Sequence, residues 1–260
     1  MLRYQRGFAR IATVFYDEPA PNEGADIVRY RHRRNAPDGI PCSPQSTLLL
    51  DLRKPEEALF AGAKKDLRYE VRRAERDGVV TSVADAGDSR MRQQVVAFGV
   101  EWARQRGQAV PDADWFDVLA VAGVLDLSCG VGSDGSPLVW HVHYVVCRHA
   151  RLVAMYTHRM GTDDRAVRQL VGRANRKLHW DNILRFQGTG LTAYDFGGWY
   201  DGRADEALLR VNAYKEEFGG EHAVQFNAEH ARTARGRLAA AWRDRLGRYA
   251  RTIAGRRRVS

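Results

Sequence analysis

Near the start of the chain, apolar and polar positions alternate over Phe8 to Tyr16 and over Ile27 to Arg31, with Pro19, Pro21 and Gly24 between them. Period two predicts strands, and the proline and glycine residues predict a turn. Pro37, Pro41 and Pro44, with Asp38-Gly39 among them, make residues 35–44 a loop or linker and place a soft boundary there. The pattern then changes. Thr47 to Leu52 is a short buried strand, and Pro55 suits the first turn of a following helix. Between Asp66 and Asp77, Leu67, Val71 and Ala74 fall on one helical face, and Gly78 stands where a C-terminal cap glycine belongs. Val79 to Ala84 reads as a strand, Ser89 to Arg106 as a helix with Val95, Phe98 and Trp102 inward, and Asp112 to Leu125 as a helix carrying Trp115 and Leu119.

A meander of Leu125 to Val131, Leu138 to Cys147 and Arg151 to Arg159 follows, turning at residues 133–136 and 148–150. After it come a helix over Arg165 to Phe186, a glycine break at Gly188 and Gly190, a strand over Leu191 to Phe196 and a helix running into Lys215. Such a strand–helix–strand–helix unit places its chemistry at strand ends and helix starts. Gly197-Gly198, directly after a strand, permits positive φ and the close approach of a backbone or ligand. In the last segment, Glu229 to Ile253, the residues Leu238, Trp242, Leu246, Tyr249 and Ile253 recur at helical spacing with arginines opposite, ahead of Arg256 to Arg258. A basic amphipathic helix with a tryptophan fits a membrane surface or RNA, and equally a helix docked on a sheet with a solvated outer face.

Composition narrows the class. The 260 residues are 44% hydrophobic, enough for a sizeable core. No apolar run reaches the roughly 18 residues needed to span a bilayer, and the first residues lack the apolar core of a signal peptide. Cys42, Cys129 and Cys147 are odd in number and show no C-x-x-C pairing. This argues against a disulfide framework or structural zinc and for a cytoplasmic setting, with the inner face of the membrane as a further option. The formal charge of +9 and pI near 9.7 attract phosphate-rich partners such as RNA, CoA, nucleotide sugars or anionic lipid, without choosing among them.

Three groups of residues carry candidate chemistry. Arg68, Arg72 and Arg76 recur every four residues on one helix face, as either a solvated basic stripe or an anion-binding one. His141 and His143 point to one face of a strand; no third ligand has metal-site spacing, which leaves His143 as a candidate general base and predicts no metal. Gln169, Gly172, Arg173 and Ala174 match the Gln/Arg-x-x-Gly-x-Gly/Ala pattern with which GNAT-superfamily acyltransferases bind a donor pyrophosphate, although an ordinary helix glycine explains the spacing as well.

Read together, three ordered segments resemble one family. Asp195-Phe-Gly-Gly198 after a strand, Tyr214-Lys-Glu-Glu-Phe-Gly-Gly220 on the next helix, and Arg68-Tyr-Glu-Val-Arg-Arg-Ala-Glu-Arg-Asp-Gly-Val79 resemble the Fem-type transferases, peptidoglycan interpeptide-bridge enzymes within the GNAT superfamily. The resemblance covers about Thr47 to Asn227, and the 46 residues before it are too short for the complete first domain of the larger members. It implies an α/β (α+β) fold: a single GNAT-like domain with a mixed, mainly antiparallel sheet flanked by helices and a short N-terminal addition. The expected division is 1–46, 47–227 and a basic tail, 228–260.

The implied reaction is transfer of an aminoacyl group from aminoacyl-tRNA to an amine of a cell-envelope precursor, polysaccharide or peptide natural product. Acyl-CoA is the alternative donor, and a non-catalytic RNA- or membrane-binding module the alternative class. Lys215 matches the active-site lysine of the family's Phe-Lys-x-x-Phe-Gly motif, and Tyr214 replaces its phenylalanine. Asp195 sits where it can orient the acceptor amine or take its proton, or cap the following turn. On this reading the donor lies against Tyr214, Gln169, Gly172, Arg173 and Arg68, Arg72 and Arg76, with tRNA the favoured partner and no permanently bound cofactor.

Overall fold

Two compact units organise the chain: Met1–Gln45 together with Val224–Ser260, and Ser46–Ala223. The computed structural model describes residues 1–21, 23–158, 164–243 and 245. In the first unit β1 (Leu2–Arg6), β2 (Ala9–Phe15), β3 (Ile27–Arg33) and the end of β10 (Glu221–Ala231) lie side by side in that order, β2 and β3 parallel and the other pairs antiparallel. β1 is an addition to the sequence reading. Leu2 is its only fully buried side chain, so a five-residue edge strand of this kind carries almost no apolar signal.

The C-terminal pattern divides differently from the expectation. Glu229 belongs to β10, which continues to Ala231, and the helix begins at residue 234 and is described to residue 243. Gln225 and Ala228 face inward along the strand, and Arg29 on β3 holds Glu229 at 2.9 Å. Leu246, Tyr249, Ile253 and Arg256 to Arg258 lie outside the described residues.

The second unit begins within β4 (Cys42–Asp51) and adds α1 (Glu56–Gly62), α2 (Lys65–Arg76), β5 (Val80–Ala84), α3 (Ser89–Arg106), α4 (Ala113–Val121), β6 (Leu125–Val131), β7 (Pro137–Val146), β8 (His149–Thr157), α5 (Arg165–Gly188), β9 (Ala193–Gly198) and α6 (Glu206–Glu216). Its strand order is β4-β9-β8-β7-β6-β5, with β8 and β9 parallel and the rest antiparallel, so the mixed, mainly antiparallel sheet flanked by helices is as expected. Helices cover both faces. Met155 packs with Val171, Ala174 and Leu178 of α5, whereas its neighbour Tyr156 meets Gly99 and Trp102 of α3.

The core lies between α5 and the β4-β9-β8 strands, where Leu48, Leu50, Trp180, Ile183, Phe186, Tyr194, Phe196 and Phe218 are buried. α2 closes it with Leu67 and Val71, each contributing roughly 1.5–3 kcal/mol of burial. That helix ends as its sequence requires. Gly78 adopts φ +77°, its N–H donates to the Glu75 carbonyl (3.1 Å) and that of Val79 to the Ala74 carbonyl (3.0 Å).

Candidate functional site

The turn that ends β9 is built around a buried carboxylate. Register pairs Arg151 of β8 with Asp195 of β9, while Tyr194 and Phe196 turn into the apolar core, so Asp195 faces the other way. Asp195 is 0% exposed. Its Oδ2 accepts from Arg151 Nη1 at 2.5 Å, and its Oδ1 accepts from the Thr47 hydroxyl at 2.5 Å and the Gly197 N–H at 2.9 Å. Gly197 has φ +75°, and a Cβ there would stand 2.9 Å from the Leu152 carbonyl oxygen, so only glycine lets β9 turn this close to β8. β8 bulges at the next residue: Leu152 pairs with His143 but Ala154 with Val142, leaving Val153 as the extra residue beside the turn.

Lys215 reaches the same turn from the last part of α6. That helix opens on Asp205, whose carboxylate caps the N–H groups of Ala207 and Leu208. The Lys215 ammonium donates to the Gly198 carbonyl and, at 3.4 Å, to that of Gly197, which leaves one of its three N–H groups without a partner among the described residues. Burial lowers its pKa to about 8; Asp195 opposes the shift and Arg151 adds to it. The rest of the motif is structural. Phe218 is fully buried against Phe196, and a Cβ at Gly219 or Gly220 would press on the carbonyl oxygens of Gly62 (3.2 Å) and Leu49 (2.7 Å). Tyr214 is half-buried and packs against the core beside His179 and Phe218; its hydroxyl is buried without a hydrogen-bond partner among the described residues, and burial raises its pKa.

The predicted donor residues divide. Gln169, Gly172 and Arg173 line a polar cleft of about 620 Å³ together with Tyr69, Glu70 and Arg168. They stand in the second and third turns of α5, past the first-turn N–H groups that a helix leaves free for an anion, so the pyrophosphate-cradle geometry is not formed at these residues. Arg173 binds Glu70 (3.1 Å) and Asp77 (2.7 Å) instead. Arg68 donates to the carbonyls of Phe60, Ala61 and Ala63 at the end of α1, Arg72 lies 5.3 Å from the Phe60 ring centroid, and Arg76 lies 6.0 Å from that of Tyr69. Arg176 links the cleft to the lysine helix: it forks onto Glu217 at 2.7 and 2.8 Å and lies over Tyr214.

His143 departs from the expected substrate-facing base. It is fully buried, with Nε2 at 2.9 Å from the Tyr194 hydroxyl, which also meets His179 Nδ1 at 2.8 Å. Burial holds the pKa of both rings below the ordinary value, so they are neutral at pH 7. Asp126, 3.5 Å from His143 Nδ1, is pushed up by burial but more strongly down by His143 and its fork to Arg185, to about 2. His141 bonds Asn175 at 2.7 Å. A helix with polar Asn175, His179 and Asn182 on its inner face takes up the strand histidines. The sequence reading placed a helix over Arg165 to Phe186 without assigning it an inner face, and so missed the network. Thr47, Arg151 and Arg176 were also missed; the one legible signal was a lone arginine inside the apolar strand Ala150 to Met155. Among the described residues no group of His, Cys, Asp and Glu is arranged to hold a metal, and no helix is long and apolar enough to cross a membrane.

No family model and no curated protein matches this sequence. Solved structures do match its fold. The crystal structure of FemX aligns with a TM-score of 0.58 at 13% identity, over 70% of this chain and 61% of the FemX chain. L-PGS from Bacillus licheniformis aligns at 0.53 and 11% identity, over 89% and 81%. The DUF2156 C-terminal domain of an assigned lysylphosphatidylglycerol synthetase from Agrobacterium fabrum aligns at 0.51 and 15% identity, over 92% and 82%. The chain therefore shares its fold with FemX and with these two synthetase structures.

Proposed function

We propose that the chain is an acyltransferase that forms an amide by moving an aminoacyl group from aminoacyl-tRNA to an amine, and that the unit Ser46–Ala223 carries the chemistry. The observation that supports this most is Lys215, a lysine with pKa about 8 held against the carbonyls of the Gly197-Gly198 turn on a Fem/GNAT-type fold. In the step itself the acceptor nitrogen attacks the ester carbonyl carbon, a C–N bond forms, the bond to the tRNA ribose oxygen breaks, and the proton lost by the amine ends on that oxygen. The Lys215 ammonium, with one N–H left over, stabilises the charge that develops on the carbonyl or leaving oxygen, and holding both reactants in line supplies much of the rest. Asp195 serves as a positioning residue. Both its oxygens are taken by Arg151, Thr47 and Gly197, so it fixes the turn rather than accepting a substrate proton.

The same geometry favours aminoacyl-tRNA over acyl-CoA, because Gln169, Gly172 and Arg173 present no free helix N–H groups to a pyrophosphate. Thermal shift tests the choice, since a ligand that binds only the folded state raises the melting temperature. A hydrolysis-resistant aminoacyl-tRNA mimic is expected to stabilise the protein more than uncharged tRNA does, and acyl-CoAs not at all. Stabilisation by an acyl-CoA with none from the mimic would reverse the donor assignment.

A further inference from the structure

The charge of the chain is concentrated in one place. Residues 232–260 contain ten arginines and a single acidic residue, Asp244, and so account for the whole formal charge of +9; residues 1–231 are balanced between acidic and basic side chains. Within this segment the helix over 234–243 is seated by its small residues. A Cβ on Gly236 would stand 2.1 Å from the Asp26 carbonyl oxygen, and Ala239 packs on Ala9, Ile11 and Ile27. At 100° per residue that seating turns Leu238 and Trp242, one helical turn apart, to the opposite side, where they are 54% and 56% exposed. Arg235 and Arg245 continue the same stripe at either end and are exposed.

We propose that this Leu238–Trp242 stripe is a docking face for an anionic lipid bilayer. An exposed leucine beside an exposed tryptophan, flanked by arginines, has the composition of a helix that lies in the headgroup region with its apolar side chains entering the acyl boundary. The arginines supply attraction to acidic headgroups that falls off within a Debye length. RNA fits less well, because phosphates and bases engage arginine and an aromatic ring but leave Leu238 facing a polyanion. A second copy of the chain fits less well again, since it brings the same basic segment to the contact. The face lies outside the proposed catalytic unit, and the inference stands apart from the reading of Lys215.

The test is co-sedimentation of the full chain with vesicles of phosphatidylglycerol mixed with phosphatidylcholine, with vesicles of phosphatidylcholine alone, and, separately, titration with uncharged tRNA. Leu238→Glu combined with Trp242→Glu removes the apolar stripe and leaves every arginine; melting curves check that the variant is folded. Binding to the mixed vesicles is expected, weakening with salt, and falling at least about tenfold in the double variant. The wild-type protein should also show a blue-shifted emission on the mixed vesicles that Trp242→Phe abolishes. Equal binding by the double variant, absence of binding to the mixed vesicles, or a loss of tRNA binding as large as the loss of vesicle binding would overturn the proposal.

Discussion

The two units differ in where their charge sits, although each buries a carboxylate, Asp195 in one and Asp26, held by Arg10, in the other. Ser46–Ala223 carries nearly balanced charge and buries part of it: Asp195, Arg151 and Lys215 are enclosed, and Asp126 is largely so, each beside a named partner. Met1–Gln45 with Val224–Ser260 carries the excess, and its helix over 234–243 holds Arg235, Arg237 and Arg243 at the surface. A buried charge is costly unless geometry compensates it, and so fixes the local structure to a particular arrangement. Exposed charge leaves the fold alone and acts on partners at a distance. Substitutions should therefore be read out differently in the two units.

The largest stability effect is expected at the buried pair. Arg151→Ala leaves the Asp195 carboxylate enclosed without its cation and should cost about 3–5 kcal/mol in denaturant unfolding. Next comes the Tyr194 hydroxyl, which serves two buried rings. Tyr194→Phe strands His143 Nε2 and His179 Nδ1 and should cost about 2 kcal/mol or more. Smallest is Trp242→Ala at an exposed site, where stability should change by no more than about 0.5 kcal/mol. A loss of several kcal/mol there, or none at Arg151, would erase the distinction between the units.

The histidine network sharpens the comparison through pH. His141, held at about 3, and His143 and His179, also lowered, stay neutral in the folded chain, whereas the unfolded chain protonates its histidines near 6.5. The unfolded state then binds more protons, so their contribution is complete above about 6.5 and is lost as pH falls below it. Melting temperature measured from pH 8 to 4 should decline below that point, and less steeply in His141→Gln. Lys215 works in the alkaline range. Its lowered pKa means that the unfolded chain holds the proton longer, so stability from this group rises between about 8 and 10.5 while a function that needs the ammonium is lost above about 8.

Much of this architecture was legible in the sequence because local signals agreed with tertiary packing. The bounds of α3 and the inward face of α2 are as periodicity requires, although the buried face of α3 runs through Val95, Gly99 and Ala103 with Phe98 and Trp102 half-buried beside it, and Gly78 and Gly197 adopt positive φ. What was not legible depends on long-range pairing. Arg151 and Thr47 gain meaning only when β8 and β4 flank β9, and no spacing brings residues 47, 151 and 195 together. His143 read as available because alternation gives the face of a strand but not what covers it; α5 covers it with Phe186, and its neighbour His141 with His179.

Lys215→Met tests the central claim most directly. It keeps much of the side-chain volume and removes the charge, at a stability cost of about 1–3 kcal/mol from the lost bonds to the Gly197-Gly198 carbonyls, of which Gly197 keeps the Thr47 hydroxyl as a donor. Single-turnover transfer from radiolabelled aminoacyl-tRNA to a panel of amines, at saturating donor and alongside a melting curve, should show a loss of roughly 100-fold or more, with little recovery in Lys215→Arg. Wild-type transfer rates in a folded Lys215→Met protein would contradict the assignment.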